Sequence, residues 1–143
     1  MVILLMLNIG TITYLMKNNI PGFYSTFPLG AQLSHENYVE IMSRAKIVLN
    51  FSKSSGGYQF KGRVIEAMMS GALLLEEKNS QMDCFFEDGT HYVSFNTQED
   101  LLDKIKFFQN NESERLRIAN NGRNKVLKEL NGKVFWESVF KLV

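Results

Sequence analysis

Short apolar runs alternate with amphipathic stretches along this chain, and that alternation constrains the fold more than any other feature. A strand covered on both faces reads as a continuous apolar run, and a helix lying on a sheet shows one apolar stripe. The pattern is therefore that of β-α units around a parallel sheet. Lys46 to Phe51 (Lys-Ile-Val-Leu-Asn-Phe) is the clearest strand. Val2 to Leu7, Ala72 to Leu75 and Tyr92 to Phe95 read as further strands, and Phe23 to Thr26 as a short one. Ile12, Leu15 and Met16 give a helical face ahead of Asn18-Asn19, and Pro21-Gly22 marks a break. Ser34 is placed as the N-cap of a helix with inner face Tyr38, Ile41, Met42 and Ala45. Thr97 does the same for a helix with inner face Leu101, Leu102, Ile105 and Phe108. Between them a helix from about Lys61 to Ser70 ends on Gly71 as its C′ residue. Leu116, Ala119, Val126, Leu127 and Leu130 continue the helical period, with Gly122 as a weak point. Phe135, Trp136, Val139 and Phe140 give a last helix or a docking tail.

The length, 143 residues, suits one domain over 1–143, and folding at that size buries roughly two-thirds of the unfolded surface. A 45% hydrophobic content excludes disorder, and 10 Gly with 2 Pro exclude collagen-like or Pro-rich chains. A net charge of +1 argues against a nucleic-acid partner. The single cysteine, Cys84, has no partner for a disulfide within the chain and suits a reducing, cytoplasmic setting. Met1 to Met16 carry no charge, but no basic segment precedes them and no small-x-small cleavage site follows. Asn8, Gly10, Thr11 and Thr13 interrupt the run, which falls short of the ~20 residues of a membrane span. A buried strand running into a helix is the preferred reading over an export signal or a span.

The chemistry concentrates between residues 51 and 71. From Ser52 to Ile65 there are three cations, Lys53, Lys61 and Arg63, and no acidic residue. This loop leaves the carboxyl end of an expected parallel strand and enters a helix N-terminus, where free N–H groups and the positive dipole end meet. Open α/β sheets bind ligands at the carboxyl ends of their strands. Lys61 and Arg63 are the candidate phosphate partners, Arg63 through a bidentate fork. Glu66, one turn on from Gly62, repels phosphate and is better matched to a sugar hydroxyl. Cations, Gly and a carboxylate in this order suit a nucleoside diphosphate. The alternative of solvated cations and a helix-stabilising Glu66 stays open on spacing alone. Neither Gly-x-Gly-x-x-Gly nor Gly-x-x-x-x-Gly-Lys-Ser/Thr is present.

The stretch Lys61-Gly62-Arg63-Val64-Ile65-Glu66-Ala67-Met68-Met69-Ser70-Gly71-Ala72-Leu73-Leu74-Leu75 resembles the signature of group 1 glycosyltransferases of the GT-B fold. It is most similar to the branch that includes the spore-maturation CgeB-like proteins. Leu33-Ser34-His35-Glu36 with Ala45 to Ser52 resembles the family's preceding helix and strand. Phe86-Glu87-Asp88-Gly89, Gln98 to Ile105 and Glu114 to Val126 resemble its closing section. The resemblance covers roughly 30–130 and implies a Rossmann-like parallel sheet flanked by helices, the C-terminal, nucleotide-sugar-binding half of a GT-B enzyme. It implies that Lys61 and Arg63 face the diphosphate, that Glu66 holds the ribose, and that Gly71 lets helix and strand pack closely. Ser52, Tyr58 and Gly62 complete the candidate nucleotide-sugar-binding set.

Two departures from that pattern stand out. Many members carry a Glu contacting the donor sugar eight residues before the ribose-binding one, and here that position is Tyr58. The family's N-terminal acceptor domain has no counterpart here, so an acceptor-domain partner chain, a homo-oligomer or a non-catalytic binding module is expected as well as a donor-binding enzyme half. The donor is a substrate, and no cofactor or metal is implied: His35, His91 and Cys84 show no ligand spacing. The lack of Asp-x-Asp is consistent with metal-independent transfer, cations and a helix dipole meeting the leaving diphosphate. No catalytic residue is assigned; His35 is read as a surface or capping residue. Glu76-Glu77 is read as a solvated turn after a strand. Arg115, Arg117, Arg123, Lys125 and Lys128, mixed with Glu112, Glu114 and Glu129, are read as a solvated face.

Overall fold

The computed structural model describes residues 2–6, 9–25, 34–54 and 56–141. Seven strands and six helices follow in chain order among these residues: β1 Val2–Met6, α1 Ile9–Lys17, β2 Phe23–Ser25, α2 His35–Arg44, β3 Ala45–Asn50, β4 Lys53–Ser54 and β5 Gly57–Tyr58. Then come α3 Gly62–Met69, β6 Leu73–Glu77, a 3-10 turn at Met82–Cys84, β7 Val93–Phe95, α4 Gln98–Asn110, α5 Glu112–Glu129 and α6 Gly132–Phe140. Leu7, Thr26 and Leu33, expected in strands or in the family resemblance, lie outside the described residues, as do the side chains of Phe135, Trp136 and Val139.

Five strands form one sheet in the order β2-β1-β3-β6-β7, with every pairing parallel. The chain steps outward from β1 to β2, then crosses back over β1 to β3. The order therefore reverses between β1 and β3, and in open sheets the crevice at such a point, beyond the carboxyl ends of the strands, is where ligands bind. The expected parallel sheet with flanking helices is what forms.

Strand alternation sorts the core into two layers. Ile47 and Leu49 of β3, with Leu73 and Leu75 of β6, join Ile12, Leu15, Leu101, Leu102, Ile105 and Phe108 on the side covered by α1 and α4. Val48 and Leu74 point the other way, into a layer with Met42, Val64, Ala67, Met68 and Tyr92 from α2, α3 and the approach to β7. The same alternation carries Asn50 and Glu76, two positions beyond Val48 and Leu74, onto the α3 side of the sheet.

The helix ends follow the expected chemistry. Ser34 accepts from Asn37 N and Thr97 from Asp100 N, so both helices are capped as read. Gly71 is the residue past the Ser70 C-cap and has φ +81°, a left-handed conformation that suits glycine. Close packing is not its role: a Cβ there would meet nothing within 4 Å.

The face of α5 differs from the sequence reading. Leu116 and Leu127 are exposed, while Arg115, Ile118, Ala119, Gly122 and Val126 are buried. Gly122 explains the rotation, since a Cβ there would stand 2.4 Å from the His91 carbonyl oxygen and 3.4 Å from the Met68 side chain. The missing side chain lets the helix backbone approach, so the contact stripe runs through Gly122 instead of beside it. Gly122 thus marks a close approach of α5 to the His91 carbonyl. Arg115 accordingly leaves the solvated face: it is 4% exposed and pairs with Glu112 at 2.7 Å. In α1 Ile12 and Leu15 are buried as expected, and Met16 is exposed.

Candidate functional site

The crevice region is built where β3 ends. Its last residue, Asn50, passes the chain through Phe51 and Ser52 into a two-stranded hairpin, Lys53–Ser54 against Gly57–Tyr58. The segment expected as a loop is held by paired backbone and side-chain anchors. Gln59 N donates to Ser52 O at 3.3 Å, Asn79 Nδ2 to Gln59 O at 3.1 Å, and the Phe60 ring lies 4.8 Å from that of Phe85. The chain then turns into α3 with Lys61 as N-cap, and no side chain among the described residues caps this helix. Val64 N donates to the Lys61 carbonyl at 3.0 Å, and the N–H groups ahead of it, with the positive dipole end, have no side-chain acceptor among the described residues. A Cβ at Gly62 would meet nothing within 4 Å, so the helix start is open.

Two groups of side chains flank that helix start. The inner group lies at the strand ends. Lys61 Nζ donates to the Phe51 carbonyl at 2.9 Å. Asn50 Nδ2 donates to Ser52 Oγ at 3.0 Å and to Glu76 Oε2 at 2.7 Å. Glu76 is paired with Asn50 across β3 and β6 and is 0% exposed. Burial pushes its carboxyl up to about 7, against the pull of Ser52, Asn50, Asn79 and the charge of Lys61. Glu76 therefore stands inside β6, not in a solvated turn.

The outer group lies on the exposed side of α3. Glu66 accepts from the Tyr38 hydroxyl of α2 at 2.5 Å. Burial first, and the bond to Glu66 second, hold the Tyr38 phenol well above its ordinary range, with the charge of Arg63 opposing. Tyr38 therefore stays protonated and donates. Around this pair His35, Tyr38, Val39, Met42, Ser43, Glu66 and Ser70 line a cavity of about 390 Å3 between α2 and α3. Its walls are mainly apolar with one carboxylate, the usual make-up of a small-molecule site.

Of the residues singled out from sequence, Ser52 and Lys61 thus come together at the end of β3, Gly62 begins the helix, and Arg63 and Glu66 line its outer side. Tyr58 is apart on the hairpin, with Lys53 Nζ 5.9 Å from its ring centre. Asn50, Glu76 and Tyr38 escaped the sequence reading as site residues. The one signal for Glu76 was a carboxylate continuing the apolar run Leu73-Leu74-Leu75 without a turn residue between. Among the described residues no group of three or more His, Cys, Asp and Glu converges as a metal site. No helix among them is long and apolar enough to cross a membrane.

The family model described as glycosyl transferase-like matches residues 16–136. The chain belongs to that glycosyl transferase-like family. No curated protein shows significant sequence similarity to it. Solved structures share the fold. The C-terminal domain of a group 1 family glycosyl transferase, LpcC from Francisella tularensis, superposes with TM-score 0.64 at 17% identity, covering 85% of this chain and 60% of that one. HepE from Anabaena, in complex with UDP and glucose, gives TM-score 0.70 at 14% identity, covering 97% of this chain and 39% of HepE. An alpha1,3-fucosyltransferase gives 0.64 at 17% identity, over 85% of this chain and 36% of the other. This glycosyl transferase-like chain thus has the α/β fold of these structures, and it spans 60%, 39% and 36% of their respective lengths.

Proposed function

We propose that the chain is the donor-binding part of a glycosyltransferase and holds a nucleotide-diphosphate sugar at the start of α3. The carrying observation is an uncapped helix N-terminus, with Lys61 and Arg63 beside it, opening toward the carboxyl end of β3 at the point where strand order reverses. HepE structures that share the fold contain UDP and UDP-glucose, which supports a nucleotide-sugar donor.

In the proposed reaction the bond between the sugar's anomeric carbon and the diphosphate oxygen breaks, and its electron pair stays on the diphosphate. The acceptor hydroxyl forms the new bond and gives up its proton. Lys61, Arg63 and the helix end meet the developing charge, so the transfer needs no metal of its own. Gly62 leaves room for a phosphate, Ser52 lies at the inner edge of the donor site, Tyr58 on the hairpin would reach it only from a distance, and Glu66 takes the ribose hydroxyls in exchange for Tyr38. We further assign the chain to the CgeB-like branch on the stretch 61–75. The acceptor site is assigned to a further domain or a partner chain, because the relatives are longer. The exposed, unpaired Cys84 supports a cytoplasmic location.

The second reading, a nucleotide-sugar-binding or interaction module without turnover, is favoured by Tyr58 standing where many relatives place a sugar-contacting Glu. Thermal shift and calorimetry against uridine, guanosine and adenosine diphosphates and their sugars test binding. Ligand at a hundred times its Kd stabilises a fold by about 2.7 kcal/mol, a shift that is readily seen. Failure of all of them to shift the melting point removes both nucleotide readings. Binding without transfer to any supplied acceptor, in the presence of the further domain or partner chain, selects the module.

A further inference from the structure

Two buried acceptors without a donor mark the end of the β3–β6 pair. Asn50 and Glu76 are 1% and 0% exposed, and each keeps one oxygen, Asn50 Oδ1 and Glu76 Oε1, with no hydrogen-bond partner among the described residues. Such atoms are costly to bury, and unexplained ones point to a functional constraint. The cation whose charge bears on Glu76 is Lys61, while the bond that Lys61 Nζ makes goes to the Phe51 carbonyl. Lys61 is also the N-cap of α3. Lys61 thus links the end of β3, where Glu76 is buried, to the open start of α3. An ammonium carries three donors on a flexible stem and can change partners without backbone movement.

We propose that Glu76, held by Asn50, is a positioning residue for Lys61: it is the counter-charge that keeps the ammonium folded against the end of β3, and a nucleoside diphosphate gains Lys61 by drawing it away. The proposal rests on the nucleotide-sugar reading above and adds to it a residue and a proton. When the ammonium turns to the diphosphate, Glu76 loses its counter-charge and acquires an anion nearby. The carboxylate then takes a proton from solvent, and the new O–H supplies a donor to a cell whose free atoms, Glu76 Oε1 and Asn50 Oδ1, are both acceptors. Of the other groups around Glu76, Ser52 and Asn79 are neutral. Tyr92, on the approach to β7, is raised far above neutral pH by burial, with Asp88, Asp83 and Glu76 adding to the effect, and stays a phenol throughout.

UDP-glucose is the probe, because its diphosphate diester has no ionisation near neutrality. It is titrated calorimetrically into the full chain in buffers of differing ionisation enthalpy. Binding is expected to take up a net proton near neutral pH, and to tighten about 3–10-fold as the pH is lowered from about 8 to about 6. Glu76→Gln is expected to bind at about pH 8 as tightly as the wild type does at about pH 6, with no proton uptake. In a Lys61→Ala background the same substitution is expected to change nothing further, a result that a purely structural role for Glu76 does not produce. The absence of proton uptake in the wild type overturns the proposal, as does an unchanged effect of Glu76→Gln in the Lys61→Ala background. If Glu76→Gln fails to fold, the wild-type proton count decides, repeated in His35→Asn to set aside the histidine near Glu66. UDP-glucose binding to no form takes the donor-site reading down with the proposal. Binding without proton uptake removes the proposal alone.

Discussion

Glu66 and Glu76 carry the same functional group a helix and a strand apart, and the fold treats them in opposite ways. Glu66 is exposed on α3, bonded to a tyrosine hydroxyl that another donor can replace. Glu76 is sealed at the end of β6, fixed by Asn50 and raised to about 7 by burial. A carboxylate in water keeps its charge at little cost and is free to recognise a ligand. One out of water holds its charge only while a counter-charge stays close, so it responds to what happens to that counter-charge. On the reading proposed above, Glu66 would recognise the ligand and Glu76 would control charge at the inner side of the same site.

Charge reversal separates the two positions most sharply. Glu76→Lys places a second ammonium in the buried cell beside Lys61 and is expected to cost about 3–5 kcal/mol in urea unfolding. Glu66→Lys is expected to stay within about 1 kcal/mol of wild type. Equal losses at the two sites erase the distinction.

Acid titration sharpens it next. The folded-state carboxyl of Glu76 lies above its ordinary 4.5. Its stabilising contribution is therefore complete below about pH 4.5 and is lost as pH rises through about 7. By the size of that shift the loss is up to about 3 kcal/mol. Unfolding curves of Glu76→Gln are expected to be flatter than wild type between about pH 4.5 and 7. A slope unchanged by the substitution means that Glu76 is not the group responsible.

At the exposed site the expected effect is on binding. Glu66→Ala is predicted to weaken nucleotide affinity by ~1–3 kcal/mol, the cost of leaving ribose hydroxyls without their acceptor. Calorimetry with unchanged affinity removes Glu66 from the site. The smallest effect lies in the joint between the two regions. Gly71→Ala, forced to a φ of +81°, is expected to lose about 1 kcal/mol of stability by thermal melting, through strain and not through a clash.

Much of this architecture was legible in the residues. The run from Lys46 to Phe51 announced a strand, Ser34 and Thr97 announced helix starts, and Gly71 announced a helix end, because each is decided within a few residues of chain. The α5 face was misread for the opposite reason. Leu116 and Leu127 are as apolar as any core residue, yet they are exposed, because the helix approaches its neighbours along Gly122 and the His91 carbonyl. Hydrophobic periodicity weighs side chains and gives no credit to a missing one. At the candidate site, the order of Lys61, Gly62, Arg63 and Glu66 was visible as a motif. The inner cell was not, since Asn50 and Glu76 meet through the register of two parallel strands separated by a hairpin and a helix.

By itself, then, the sequence determined the β-α alternation, the helix ends and the family-like stretch around α3, all of which depend on local backbone preference and short-range spacing. Tertiary structure alone decided which charges lose their water. Lys61 turned back onto the end of β3, Arg115 moved into the interior and Glu76 was closed off under α3. Desolvation depends on what the rest of the chain stacks over a residue, and no residue carries that information in its own neighbourhood.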